Sequence, residues 1–285
     1  MLTRRSTLLG AAGLALASMI AGGSADAAEK DVTIAYVEWS DAVVATNVIK
    51  TVLEDAGYNV KIVPLSGAAM WQAVATGEAD AMVAAWLPAT HQAYYEKLKD
   101  QVEDLGPNVS GAKIGWAVPT YVADVNSMED LKDKASEFKG QVIGIDPGAG
   151  LMKASENAIK EYDLPLKLIE GSDATMVAAL KDAYGKKEPI IVTTWTPHWM
   201  HSSFELKYLK DPKGVFGGEE TVNTVVRKGL KEDDPKLYAI LDNFALSLDQ
   251  EQAVMLENEQ PGANPAETAK KWVEANKATV DQWLK

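Results

Sequence analysis

Ala85-Trp86-Leu87-Pro88-Ala89-Thr90-His91 is the stretch on which the reading of this chain turns. It closes the apolar run Ala79-Asp80-Ala81-Met82-Val83-Ala84-Ala85, which reads as a short buried strand. Pro88 suits the first turn of a helix running on through His91 and Tyr94-Tyr95. In an α/β sheet the carboxyl ends of strands face the ligand crevice. The turn therefore sets an aromatic face and a titratable donor beside one cleft.

Outward from this turn the same grammar is written twice. In the first pass Val32 to Val37 is a strand, Asn47 to Ala56 a helix stopped by Gly57, Tyr58 to Leu65 a strand, and Ala68 to Ala75 a helix stopped by Gly77. The second pass starts at Gln141. Val142 to Ile145 is a strand, Gly150 to Glu161 a helix, Leu166 to Ile169 a strand, and Ala174 to Tyr184 a helix. Pro189 to Thr194 is a further strand, and it delivers Trp195. Ser66-Gly67-Ala68-Ala69-Met70 answers Gly171-Ser172-Asp173-Ala174-Thr175-Met176, and Trp86-Leu87-Pro88 answers Trp195-Thr196-Pro197.

Strands alternating with helices imply βαβ units and mainly parallel sheets, so the fold class is α/β with two similar lobes. Ala112 to Val122 and Thr221 to Arg227 read as two connectors making a hinge. Residues 28–115 and 229–285 are assigned to lobe 1 and residues 116–228 to lobe 2. The tail from Asp234 is helical, with Leu237 to Leu246, Gln250 to Leu256 and Ala266 to Leu284 expected to pack back on the first lobe.

The chain of 285 residues is 47% hydrophobic and 24% charged, an ordinary globular composition with room for two modest domains. Arg4-Arg5, the apolar run from Thr7 to Ile20 and the small residues to Ala25-Asp26-Ala27 form the three parts of an export signal. Residues 1–27 are thus expected to be removed, and the arginine pair leaves the general and the twin-arginine routes both open. The absence of cysteine excludes disulfides, thiol catalysis and a lipid-anchoring cysteine. No apolar run after the leader approaches the ~20 residues of a membrane helix. An exported, unanchored, cysteine-free protein fits a periplasm. The formal net charge is −13, and losing the leader makes it one unit more negative, which argues against nucleic acid or an anionic membrane as partner.

Eight tryptophans are the main chemical signal. Trp39, Trp86 and Trp195 share the carboxyl end of an expected strand, a coincidence a packing role does not require, although position alone leaves core and site both open. Aromatic faces hold quaternary ammonium groups by the ring quadrupole, about 2 kcal/mol each when desolvated. Three faces supply about 6 kcal/mol where a micromolar site needs about 8, so a second group must hold the ligand. Asp146-Pro147-Gly148-Ala149-Gly150-Leu151-Met152 follows a strand and opens a helix, so its free N–H groups form an anion site. It lacks the G-x-G-x-x-G spacing, and a small carboxylate suits it better than a nucleotide.

His91 fits two roles, a helix cap or a ligand donor. His198-x-x-His201 has the spacing of a metal pair but lacks a third ligand, so no metal and no cofactor are expected. Trp199 and His198 are candidates for supporting the site from behind, while Trp71, Trp116, Trp272 and Trp283 read as packing residues. No Ser-His-Asp order, G-x-S-x-G or metalloprotease motif is present, so the chain is not expected to be an enzyme.

Taken together, Tyr36-Val37-Glu38-Trp39, the Trp86 turn, Ile145-Asp146-Pro147-Gly148-Ala149-Gly150 and Thr194-Trp195-Thr196-Pro197-His198-Trp199 resemble the glycine betaine-binding proteins of osmoprotectant ABC importers. The resemblance covers nearly all of the chain after the leader, including Tyr208 to Gly214 and Val226 to Gly229. It implies a two-lobed periplasmic-binding-protein fold that closes on glycine betaine or proline betaine and presents it to a membrane permease, as a monomer. It further implies a prism of Trp39, Trp86 and Trp195 around the trimethylammonium group, with the carboxylate held by N–H groups of Gly150 and Leu151 and by His91. Such a cleft should keep carboxylates away from the ammonium. A choline or carnitine receptor, and an exported enzyme on the same bilobal fold, are the other readings.

Overall fold

The computed structural model describes residues 30–285; the expected leader, residues 1–27, lies outside the described residues. β1 (Lys30–Tyr36), α1 (Ser40–Asp55), β2 (Tyr58–Pro64), α2 (Gly67–Thr76) and β3 (Ala81–Leu87) follow the expected alternation. α3 (Gln92–Leu98) leads into β4 (Val102–Pro119), and α4 (Leu131–Lys134) precedes the second pass. That pass is β5 (Gln141–Ile143), α5 (Gly150–Glu161), β6 (Lys167–Ile169), α6 (Asp173–Lys186) and β7 (Val192–Thr196). α7 (Met200–Ser203), β8 (Leu206–Tyr208) and β9 (Glu220–Arg227) come next. The tail is α8 (Leu230–Asp233), α9 (Pro235–Asn243), α10 (Leu248–Asn258), α11 (Pro265–Ala275) and α12 (Lys277–Trp283).

The strand order is β2-β1-β3-β9-β4-β7-β5-β6, with β8 on the side of β4. β2, β1 and β3 are parallel, as are β6, β5 and β7. The two triplets are the two passes read from the sequence, and each exposes its strand carboxyl ends toward the other. Between them β9 and β4 run antiparallel, so the sheet is mixed where the halves join.

β4 belongs to both halves. Its Val102 to Ala112 segment pairs with β9, whereas Lys113 to Ala117 pairs with β7 and Ala117 to Pro119 with β8. Three register shifts interrupt its pairing with β9, and Gly106 and Gly111 within them have φ of 99° and 84°. Bulges bend and twist a strand, and only glycine adopts such φ without penalty, so these two residues let one strand leave the first sheet and enter the second. By strand partnership the outward crossing falls at Ala112/Lys113, three residues before the expected 115/116. β9 pairs with β3 and with the first half of β4, so by strand partnership the returning connector, Glu220 to Arg227, runs with the first sheet.

Two other expectations change. Pro88 does not open a helix. β3 continues to Leu87, a turn occupies Pro88 to His91 and α3 starts at Gln92. The His91 N–H donates to the Trp86 carbonyl at 2.9 Å, folding the chain back across the proline. Leu87-Pro88 and Thr196-Pro197 are both cis, so the repeat extends to backbone geometry. The last helix is broken at Asn276, which leaves helical φ/ψ between α11 and α12 and donates its side-chain amide to the Trp272 carbonyl at 2.8 Å. α1 buries Val48, Ile49, Val52 and Leu53 and packs against β2 and β3 on one side and α10 and α11 on the other. The tail therefore seats on the first lobe.

Candidate functional site

Trp39, Trp86 and Trp195 line one cavity together with Gly150 and Leu151. Each tryptophan arrives by a different route. Trp39 is the N-cap of α1, Trp86 is the penultimate residue of β3, and Trp195 lies in β7. All three are buried, yet their faces bound a shared space. Thr90, Ile114 and Ile145 complete most of the wall. These three carry no chemical signature in the sequence and were missed; Thr90 alone could have been found, from its place inside the Trp86 turn.

The lobes touch closely at the anion loop. Gly150 and Leu151 are the first two residues of α5, so their N–H groups have no acceptor inside the helix. A Cβ placed on Gly150 would stand 2.0 Å from the Thr90 carbonyl oxygen. Only glycine admits that approach of the first lobe's turn. Thr90 is itself anchored by the buried Glu220, whose carboxylate accepts from the Thr90 N–H at 3.0 Å and from its hydroxyl at 2.9 Å. Tyr94 adds a hydrogen bond to the Gly148 carbonyl.

His91 is wholly buried just behind this surface and is not a cavity-lining residue. Its Nδ1 accepts from the Trp86 N–H at 3.0 Å and from the Trp71 indole N–H at 3.2 Å. Two donors on Nδ1 place the ring proton on Nε2, and Nε2 has no partner among the described residues. Burial pushes the imidazole down to about 3, so it stays neutral and offers one N–H. The ring lies 5.9 Å from that of Trp39, centroid to centroid. Although His91 is the N-cap of α3, its side chain makes no capping bond. Trp71 is a core packing residue as expected, and together with the Trp86 N–H it also sets this tautomer.

His198 and Trp199 stand elsewhere. His198 Nε2 meets Asp173 Oδ1 at 3.0 Å, its Nδ1 accepts from the Met200 N–H at 3.1 Å, and its ring stacks edge-on to Trp195 at 4.5 Å. Burial opposes ionisation of Asp173, but hydrogen bonds from His198 and Ser40 outweigh it and hold the carboxyl below its usual range. Trp199 borders a second cavity with Asp173 and Met255 rather than the first. His201 turns away to Thr194 Oγ1 at 2.9 Å, so the pair does not converge. Among the described residues no group of three or more His, Cys, Asp or Glu could hold a metal ion, and no helix is long and apolar enough to cross a membrane.

No aspartate or glutamate lines the first cavity. Two carboxylates stand behind it instead. Asp146 Oδ1 accepts the Trp39 indole N–H at 2.7 Å, and Asp41 Oδ1 accepts the Trp195 indole N–H at 2.9 Å. A neutral hydrogen-bond donor, an open helix N-terminus and three aromatic faces around a carboxylate-free space suit a small zwitterion whose cation carries no N–H.

The family described as the substrate-binding domain of the ABC-type glycine betaine transport system matches residues 30–275. A glycine betaine/carnitine transport binding protein of Listeria monocytogenes is 46% identical over 155 residues, which span 53% of this chain and 51% of that protein. The crystal structure of a lactococcal binding protein, closed on glycine betaine, is 43% identical with a TM-score of 0.85, covering 90% of this chain and all of the other. A glycine betaine/L-proline-binding protein from Borrelia burgdorferi is 39% identical with a TM-score of 0.87, covering 90% and 97%.

Proposed function

This chain belongs to the family of substrate-binding domains of ABC-type glycine betaine transport systems, and we propose that it captures glycine betaine, or a close quaternary ammonium zwitterion, in the Trp39–Trp86–Trp195 cavity. The observation that carries the reading is the convergence of those three indoles and the first residues of α5 on one cavity, with His91 buried behind the Trp86 turn and its Nε2 unpartnered among the described residues. The trimethylammonium group lies among the aromatic faces, each worth about 2 kcal/mol when desolvated. The carboxylate takes the N–H groups of Gly150, Leu151 and His91, charge-assisted bonds of about 1.5–3 kcal/mol each. Choline would leave those donors unpaired, which favours a carboxylate-bearing ligand.

Trp39, Trp86 and His91 come from the first lobe, whereas Trp195, Gly150 and Leu151 come from the second. The complete site exists only when the lobes meet, so the ligand favours the closed form by its differential affinity for it. The closed, loaded protein works in the periplasm as a monomer, without chemistry on its cargo, and delivers it to the permease of an ABC importer. Calorimetric titration of residues 28–285 with glycine betaine tests the reading. A saturable heat with one site per chain is expected; no heat and no thermal shift at millimolar ligand would sink it.

A further inference from the structure

Trp39, Ser40 and Asp41 are consecutive, and all three reach across to the second lobe. Trp39 donates its indole N–H to Asp146, the Ser40 N–H and hydroxyl both donate to Asp173 Oδ2, at 2.9 and 2.5 Å, and Asp41 accepts the indole N–H of Trp195. The two indole bonds are reciprocal. The first lobe lends Trp39 to a carboxylate of the second, and the second lends Trp195 to a carboxylate of the first. Among the described residues the Trp86 indole has no such partner; its ring is placed by β3 and by the turn that follows.

This arrangement puts two negative charges near a site whose own wall has none. An acid inside the cavity would be an acceptor and a ligand for ammonium, lysine or inorganic cations. An acid on the N–H edge of an indole cannot touch the cargo, because the ring stands between them. Its field still reaches the ligand, since the intervening matter is of low dielectric. Donation of the N–H to a carboxylate also polarises the ring, in the manner of any hydrogen-bonded chain, and makes its face more attractive to a cation.

We propose that Asp41 and Asp146 are specificity-determining residues that act through Trp195 and Trp39: by holding the two indoles across the closed lobe interface they orient the rings, and by their charge they select a cation-headed ligand over an uncharged one of the same shape. The proposal rests on the cavity being the betaine site. Asp41 is buried, and the groups around it are Asp173 and His198 from the second lobe and Glu251 from α10. Asp146 lies in the loop after β5 and shares its surroundings with Tyr94.

The test compares glycine betaine with 3,3-dimethylbutanoate, its carbon isostere, which keeps the carboxylate and the shape but replaces the trimethylammonium by an uncharged tert-butyl group. Dissociation constants for both are measured at about pH 8, above the ordinary carboxyl range, for the parent, Asp41→Asn, Asp146→Asn and Asp146→Ala. Asparagine keeps an acceptor for the indole and removes the charge. Each asparagine variant should lose roughly tenfold in affinity for betaine, the order expected for one charge lost behind a desolvated cation, and little for the isostere. Asp146→Ala should weaken both ligands, because the ring loses its tether as well. A betaine-to-isostere preference in both asparagine variants within about twofold of the parent's overturns the charge role, and Asp146→Ala behaving like Asp146→Asn overturns the orienting role. A parent that binds no betaine overturns the site assignment itself, which is a different result from a parent that binds and variants that match it.

Discussion

The two Trp-x-Pro turns are the same device used for different ends. Both end a strand that neighbours the centre of its sheet, both carry a cis proline, and both are followed by a buried histidine whose Nδ1 accepts a backbone N–H. The difference lies at the other ring nitrogen. His198 Nε2 is spent on Asp173, whereas His91 Nε2 has no partner among the described residues. A polar atom that is buried and unsatisfied costs about 1–3 kcal/mol, a cost that the carboxylate of the proposed ligand would remove. The second turn is finished by the protein, and the first would be finished by the proposed cargo.

The largest expected effect comes from pressing on the first turn. Gly150→Ala drives a methyl group into the Thr90 carbonyl across the lobe interface, and overpacking against backbone costs up to about 3 kcal/mol. Betaine affinity should fall by about 100-fold or more in titration calorimetry, while the melting temperature without ligand changes little. A variant that binds normally would mean that the turn and the anion loop do not meet in the loaded form.

Next is a pH effect of opposite sign at the two turns. Burial pushes the Asp41 carboxyl, beneath Trp195, up to about 6 from 3.8. Its favourable protonated state is fully available below about pH 4 and is lost as pH rises through about 6, a loss of about 3 kcal/mol at 1.36 kcal/mol per unit. Asp41→Asn should therefore gain stability relative to the parent between pH 4 and 6, read from denaturant midpoints. His91 works the other way. Burial lowers it to about 3, so stability held above about pH 6.5 is lost as pH falls toward 3. Parallel curves for parent and Asp41→Asn would show that Asp41 is solvated in the folded protein.

The histidines themselves give the third contrast. His91→Ala should lose about 1.5–3 kcal/mol of betaine binding, whereas His198→Ala should lower folding stability more than it lowers affinity, by about 1–3 kcal/mol, because Asp173 keeps its Ser40 bonds on Oδ2 but loses the donor on Oδ1. Reversed rankings would exchange the roles of the two turns. The smallest effect concerns choline. Lacking the carboxylate, it should bind the parent and His91→Ala within about 0.5 kcal/mol of each other, below the range of a hydrogen bond. A choline affinity that falls as far as that for betaine would make His91 a packing residue.

Much of the fold was legible because it rests on local pattern. The alternation of β-branched runs with helical spacing yields both passes to within three residues, except that α1 begins at Ser40 rather than Asn47, and the bounds of α5 are legible residue for residue. The pairing of β9 is not legible, because a strand's partners depend on a register that neither its own residues nor its neighbours encode. The five cavity residues Trp39, Trp86, Trp195, Gly150 and Leu151 were legible from chemistry plus position. The placing of Asp41 and Asp146 was not, although Asp41 is two residues from Trp39 and Asp146 stands in the loop before Gly150, since each meets an indole of the opposite lobe, far away in the chain. The second role of Trp71 was hidden for the same reason: nothing local tells a packing indole from one that also fixes a tautomer twenty residues away.

What the sequence determined by itself, then, is the duplicated α/β architecture, the aromatic complement and the helix N-terminus that opens at Gly150, all consequences of side-chain type and spacing. Tertiary structure alone decided which histidine keeps a free N–H, which carboxylates stand behind the indoles and why residue 150 has no side chain. Those properties belong to pairs of groups, the carboxylate–indole and Gly150–Thr90 pairs drawn from opposite lobes and the histidine pairs from within one, and hydrogen bonding, burial and steric contact exist only between groups once the fold has brought them together.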